Sequence, residues 1–245
     1  MTTAPTSVQP RGEHHRSRWV LVTVLAFVAG ALVVALLYEV DVFGGSSSST
    51  SVTQGSGVPA TQTREVAPFR SVELAGGNNV VIQIGEKQSV VVKADDNLLG
   101  RVTTKVESGK LVIANTPGSL TTKSPMSVAV TVPTLSELTL AGGGNIIVSG
   151  LKAESLTVTL SGSGNVTGSG HARSLDVTLS GSGNAWLTQL PAADVHAVLS
   201  GSGTIHVTAA KRLDAAVPGS GTITYSGHPQ DVTKSVTGTG AITGN

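Results

Sequence analysis

Leu156-Thr157-Val158-Thr159-Leu160-Ser161-Gly162-Ser163-Gly164-Asn165-Val166 is one copy of a phrase that the chain repeats. From Leu175 it reads LDVTLSGSGNA and from Val195 VHAVLSGSGTI. It loosens to LDAAVPGSGTI at Leu213 and VTKSVTGTGAI at Val232, and an earlier copy, SELTLAGGGNI, begins at Ser136. The last glycine of each Gly-x-Gly is Gly144, Gly164, Gly183, Gly203, Gly221 or Gly240, in steps of 20, 19, 20, 18 and 19 residues. Self-similarity at such a period marks a stacked-repeat architecture.

Within a copy, Leu156, Val158 and Leu160 alternate with Thr157 and Thr159. Alternation at period two turns one set inward and the other outward on a strand. Gly162 and Gly164, and their counterparts Gly181, Gly183, Gly201, Gly203, Gly219 and Gly221, are expected to make the turn because glycine tolerates positive φ. A second short strand follows, as in Asn165-Val166-Thr167. No coil of about 19 residues buries its apolar row alone, but coils stacked about 4.8 Å apart share one Leu/Val/Ile core. The expected fold is therefore all-β, a single-stranded parallel β-helix. A sandwich of hairpins is the rival, but hairpins do not require equivalent positions to keep their residue identity.

Outward from the repeat, residues 136–245 are read as regular coils and 66–135 as an irregular half that caps one end of the solenoid. Strands are expected there at Ser71–Leu74, Val80–Ile84, Ser89–Lys93, Val102–Val106, Leu111–Ala114 and Ser127–Val132. Gly76-Gly77-Asn78 reads as a worn copy of the later Gly-Gly-Asn. Residues 39–65, rich in Gly, Ser and Thr, are expected to be a flexible linker.

Residues 19–38 run from Trp19 to Tyr38 without a charge. As a helix this run spans about 30 Å, enough for a bilayer core, with an aromatic at each interface. It exceeds the apolar region of a signal peptide, and no small-x-small cleavage site follows. Arg11, Arg16 and Arg18 precede it, while Glu39 and Asp41 follow. The positive-inside rule then keeps a disordered tail, residues 1–18, in the cytoplasm and places the C-terminal domain outside a single-pass anchor. The chain has 245 residues, formal net charge +1, no cysteine, 30 glycines and 3% aromatic residues. The missing cysteine excludes disulfides, thiolate chemistry and lipoprotein attachment. No basic stripe points to nucleic acid.

The first half carries a family resemblance. Phe69-Arg70-Ser71-Val72-Glu73-Leu74, the Gly-Gly-Asn after it, and Val90–Asp95 followed by Asn97-Leu98-Leu99 resemble the head GIN domain. The SGSGN coils are similar as well, so the likeness covers roughly residues 66–240. It implies a right-handed β-helical domain exported to the bacterial cell envelope and labelled an autotransporter adhesin. It carries over no catalytic residues.

Candidate sites are few. Asn145, Asn165 and Asn184 occupy equivalent places, followed by Thr204, Thr222 and Ala241. Calcium-binding repeats place aspartate there; neutral amides are poor calcium ligands, so an amide ladder is the expectation. The outward column Asp176, His196, Asp214 sets one imidazole between two carboxylates. It offers a transition metal a single nitrogen, so a solvated charge ladder is expected, and no metal or cofactor. Trp186 and His206 face outward on the second strand, where they could stack on a sugar ring. No pair of carboxylates with an arginine, and no serine–histidine–acid set, is placed for catalysis. The expectation is a non-enzymatic, adhesin-like binding domain that contacts cell-wall glycan or envelope proteins. The alternatives are a carbohydrate-active enzyme on the same scaffold and a structural element that self-associates end to end.

Overall fold

The computed structural model describes residues 52–245. The tail 1–18, the apolar run 19–38 and residues 39–51 of the expected linker lie outside the described residues. Among the described residues no helix is long and apolar enough to cross a membrane.

The described chain is all-β, a solenoid. Its strands are β1 (Thr53–Gln54), β2 (Pro59–Thr63), β3 (Ser71–Leu74), β4 (Asn79–Ile84) and β5 (Ser89–Asp95). A 3₁₀ turn, Asp96–Arg101, leads into β6 (Val102–Glu107), β7 (Lys110–Asn115), β8 (Leu120–Thr121) and β9 (Ser127–Val132). The coils follow as β10 (Glu137–Leu140), β11 (Asn145–Leu160), β12 (Asn165–Leu179), β13 (Asn184–Leu199), β14 (Thr204–Val217), β15 (Thr222–Ser226), β16 (Asp231–Val236) and β17 (Ala241–Gly244).

The expected register holds rung by rung. Leu156 pairs in parallel with Leu175, Val158 with Val177 and Leu160 with Leu179, and Asn145 stands beside Asn165. The next rung repeats this, Leu175 beside Val195 and Leu179 beside Leu199. Each coil has two main faces. The first carries β3, β10, the C-terminal halves of β11–β14, and β16; the second carries β4, the N-terminal halves, β15 and β17. Period-two burial puts Leu138, Val158, Val177 and Ala197 inward from the first face and Ile146, Val166, Ala185 and Ile205 inward from the second, all almost fully buried. Burying such a side chain contributes about 1.5–3 kcal/mol, which only stacking makes available to so thin a coil.

The glycines of the Gly-x-Gly corner are required for a reason other than the expected one. None of them has φ in the left-handed region. A Cβ on Gly162, Gly164, Gly181, Gly183, Gly201, Gly203, Gly219 or Gly221 would instead fall under 3.0 Å from a backbone carbonyl of the rung before. The corner is tight along the stack, not along the chain. Left-handed glycines sit at the opposite corner, at Gly150 (φ 71°), Gly170 (φ 131°) and Gly227 (φ 96°). There the second-face strand runs on through a bulge into the next coil, so that β11 to β14 are long bent strands of 14–16 residues rather than short ones.

The first half meets the coils by a route the sequence does not show. β10 stacks on β3, and β3 stacks on β7, which comes later in the chain. On the second face β11 stacks on β4, and β4 on β9. The parallel stack is closed there by reversal: β6 lies antiparallel on β7, and β5 antiparallel on β9. The worn Gly-Gly-Asn is offset by one residue, since Asn79, not Asn78, pairs with Asn145.

The expected linker 39–65 is corrected over its last part. β2 pairs antiparallel with β5, and β1 pairs with β8. Without β2, β5 would present an open edge, and Gly/Ser/Thr composition does not prevent a segment from filling that need. Asp95 fixes the attachment. Its carboxylate is buried and accepts the Lys123 N–H at 2.9 Å and the Ser124 N–H at 3.4 Å. A Cβ on Gly55 would strike this carboxylate, so the chain passes it only as glycine. The Lys123 N–H, with Ser124 and the Gly57 N–H, holds the Asp95 carboxyl below its ordinary value of 3.8 although burial opposes this. A depressed carboxyl contributes stability above the unfolded value and loses it as pH falls through the folded one. Thermal melting followed against pH is therefore expected to fall below pH 3.8 in the parent. Asp95→Asn, melting several degrees lower at neutral pH, should fall less steeply there. Equal acid slopes would remove Asp95 from this role.

Candidate functional site

The outward columns of the two faces differ in chemistry. On the first face, Thr157, Asp176, His196, Asp214 and Thr233 stand in register, as expected. His196 Nδ1 lies 3.3 Å from Asp214 Oδ2, and the two side chains are 49% and 51% exposed. Half-exposed groups on an open surface keep water as their main partner, and such pairs contribute about 0–1 kcal/mol. Among the described residues no group of three or more His, Asp or Glu side chains is placed to hold a metal. Towards the capped end the same face carries Lys110, whose Nζ reaches Glu137 Oε1 at 2.8 Å and Glu73 Oε2 at 3.6 Å. Burial pushes the Lys110 ammonium down, but the bond and charge of Glu137, with Glu73, outweigh it and leave it raised. The hydrogen bond from Lys110 holds the Glu137 carboxyl down.

Charge also gathers on the bent corner between the faces. Ser174, Asp194, Arg212 and Asp231 form one column there, with Arg212 Nη2 3.8 Å from Asp231. A cleft of about 350 Å³ beside it is lined by Lys152, Glu154, His171 and Arg173.

The second face is different. Asn79, Asn145, Asn165 and Asn184 form one outward column, continued by Thr204 and Thr222. The amides bond to one another rather than to turn backbone: Asn145 Nδ2 donates to Asn79 Oδ1 at 3.0 Å, Asn165 Nδ2 to Asn145 Oδ1 at 2.9 Å, and Asn184 Nδ2 to Asn165 Oδ1 at 2.9 Å. Each accepting oxygen is engaged by the next rung, which leaves it less free for a cation than isolated amides would be. The column beside it runs Val81, Ile147, Thr167, Trp186, His206, Thr224. Trp186 and His206 are brought together: their rings stack with centroids 4.1 Å apart and planes 8° from parallel. Burial pushes the His206 imidazole below its ordinary value. Trp186 remains 46% exposed, Ile147 48% and Val81 38%.

Sequence reasoning found Trp186 and His206 but missed Ile147, Val81 and the charge pattern around them. Among the described residues, the outward positions of the parallel second-face strands from Asn79 to Thr243 include no Asp, Glu, Lys or Arg. The signal lay in every second residue after each glycine-rich corner: Asn79-x-Val81 after Gly76-Gly77-Asn78, and Asn145-x-Ile147, Asn165-x-Thr167, Asn184-x-Trp186 and Thr204-x-His206 after a Gly-x-Gly.

The last rung leaves the core end open. Val232 and Val236 are 42% and 45% exposed. Between them, Lys234 occupies the inward position that Ala215 holds one rung earlier, and its Nζ lies 4.6 Å from the Tyr225 ring centroid. An inward-pointing charge on a sheet edge opposes the addition of another strand.

Comparison with known proteins places this geometry. A family model described as "Putative auto-transporter adhesin, head GIN domain" matches residues 68–229. A solved structure described as a putative adhesin from Bacteroides fragilis NCTC 9343 superposes with a TM-score of 0.66 at 23% identity, covering 78% of this chain and 99% of that one. One described as a putative lipid binding protein from Parabacteroides distasonis ATCC 8503 gives 0.53 at 23% identity, over 80% of this chain and 100% of that one. A putative adhesin from the same organism gives 0.51 at 20% identity, over 80% and 100%. At these identities the likeness concerns the fold alone. The comparison with curated proteins found no match.

Proposed function

The chain belongs to the head GIN domain family over residues 68–229, and on that premise we propose that it is an adhesin-like binding domain displayed outside a bacterial cell on a single-pass anchor. The anchor is residues 19–38, with the N-terminus in the cytoplasm and the solenoid in the envelope. The coils wind right-handed, the hand that parallel crossovers nearly always take.

The observation that carries the binding reading is the uncharged outward side of the parallel second-face strands, with its exposed apolar column. Outward positions of a solenoid are normally polar and mixed in charge, and a contiguous exposed apolar strip marks a contact surface. The protein binds without turnover in this reading. The columned carboxylates Asp176 and Asp214 stand two rungs apart with His196 between them, and Asp194 and Asp231 two rungs apart with Arg212 between them, each pair on open surface from which water is not excluded. End-to-end association is the second reading, favoured by Val232 and Val236 at the open rung and opposed by Lys234 among them.

Cells producing the full chain with a C-terminal epitope tag provide the test. The tag is expected to react with antibody while the membrane is intact, and the cells to attach better than cells lacking the protein to a surface coated with neutral polysaccharide, anionic polysaccharide or protein. A tag reached only after lysis would sink the topology. Unchanged attachment to all three surfaces would sink the binding role.

A further inference from the structure

The stacked pair on the second face leaves one ring face open, and what lies before that face has a definite shape. Resting on the reading of this protein as a binding domain, we propose that the slot between Trp186 and Ile147, floored by Thr167, is a subsite for one pyranose ring of a neutral glycan.

The geometry comes from the register. Ile147, Thr167, Trp186 and His206 stand on consecutive rungs of one outward column. His206 covers one face of the indole, in near-parallel contact at 4.1 Å. The other face looks along the stack over Thr167, whose side chain is short and exposed. Ile147, 48% exposed, closes the far side two rungs away, about 9.6 Å at the usual strand spacing. A ring laid flat on the indole at about 4 Å, the contact distance of carbon atoms, has about as much room again before it meets Ile147. The slot therefore admits one ring, not two.

The chemistry selects the ring. A pyranose offers an apolar face of C–H bonds and a rim of hydroxyls. The indole and the Ile147 side chain match the face. The rim would meet Asn165 and Asn184 on one flank, whose amides are already aligned by the ladder and each keep a second N–H free. On the other flank stands the Ser169 hydroxyl. Apolar walls with a few fixed polar groups are the usual make-up of a small-ligand site. No Asp, Glu, Lys or Arg stands at the outward positions of the parallel strands around the slot, and Lys93 on β5 lies three rungs beyond Asn145, so the slot offers nothing to a uronate, sulfate or ammonium group, and the ligand is uncharged. The column continues past Ile147 to Val81, 38% exposed, so that a glycan chain could lie along the stack with a further residue beyond the slot.

The test uses the full chain in detergent micelles, with Trp19→Phe so that Trp186 alone emits. Titration with maltohexaose and with cellohexaose, neutral hexasaccharides of opposite linkage, is expected to give a saturable change in Trp186 fluorescence with at least one of them. Thr167→Tyr fills the slot at an exposed strand position that suits an aromatic. It should weaken the response about tenfold or more while the circular dichroism of the sheet is kept. Trp186→Ala, followed by retention on the same immobilised glucan, should lose a similar factor. No response to either hexasaccharide overturns the proposal, as does a Thr167→Tyr protein that responds like the parent. A second copy of the chain in the slot, seen as a dimer in sedimentation that Thr167→Tyr dissolves, overturns it as well. Cells carrying Thr167→Tyr that still attach to coated surfaces would leave the binding role standing and reject this slot.

Discussion

Gly183→Ala is expected to destabilise the solenoid by about 3 kcal/mol or more, although it adds one methyl group to a corner. The Cβ would be driven into the carbonyl oxygen of Gly164. That oxygen cannot swing away, because it accepts the Asn184 N–H at 3.2 Å. Nor can the corner rise, because the Gly183 carbonyl holds the Thr204 N–H at 3.3 Å on the next rung. Relief requires the rungs to part, which loosens ladder bonds on both sides of the insertion. The control is Gly143→Ala, at the middle of an equivalent corner. Its Cβ would meet Ser163 Oγ at 3.6 Å, an ordinary contact, and serine stands at that position in the following coils. A change within about 0.5 kcal/mol is expected there. Urea unfolding followed by circular dichroism compares the two. Similar losses would mean that close approach between rungs is not what selects glycine.

Leu179→Ala should cost about 2–5 kcal/mol, the usual range for emptying a fully buried leucine site. Leu179 is 0% exposed and stands in one inward column between Leu160 and Leu199. The core is filled by one inward layer from each face, so few neighbours can move in to fill the space. Val236→Ala lies at the open end of the same column, 45% exposed, and is expected to change stability by less than about 1 kcal/mol. In a solenoid each rung is held by its neighbours, so the penalty should grade from the middle to the last coil. Hydrogen exchange resolved by rung would show protection lost on both sides of Leu179 in the first variant and only beyond Val217 in the second. Equal losses at both sites would contradict a nearest-neighbour stack.

Much of the regular half was legible before any coordinates. Period-two alternation in Leu156–Leu160 and the return of the same residue type every 18–20 positions fix which side chains face inward and which stack. The columns Asp176–His196–Asp214 and Asn145–Asn165–Asn184 follow from counting alone. What the counting could not reach was the chemistry of neighbouring rungs in contact. Trp186 and His206 read as two separate outward rings, while the structure makes them one stack with a single free face. The empty charge inventory of the second face also needed the register of the bent corners, where bulges break the simple count.

The sequence by itself determined a stack of parallel coils, because a repeated in–out pattern has one way to bury its apolar half. It also determined where the coils turn. Only the tertiary structure decided why glycine stands at those turns, since the obstruction belongs to the preceding rung and not to the local chain. It decided too that residues 59–63 join the sheet while 53–54 pair with β8, and that β7 and β9 lie beneath β3 and β4 although they come later in the chain. The physical reason is the same in each case. A strand edge accepts any segment that satisfies its N–H and C=O groups, and backbone hydrogen bonding carries no side-chain signature from which the partner can be read.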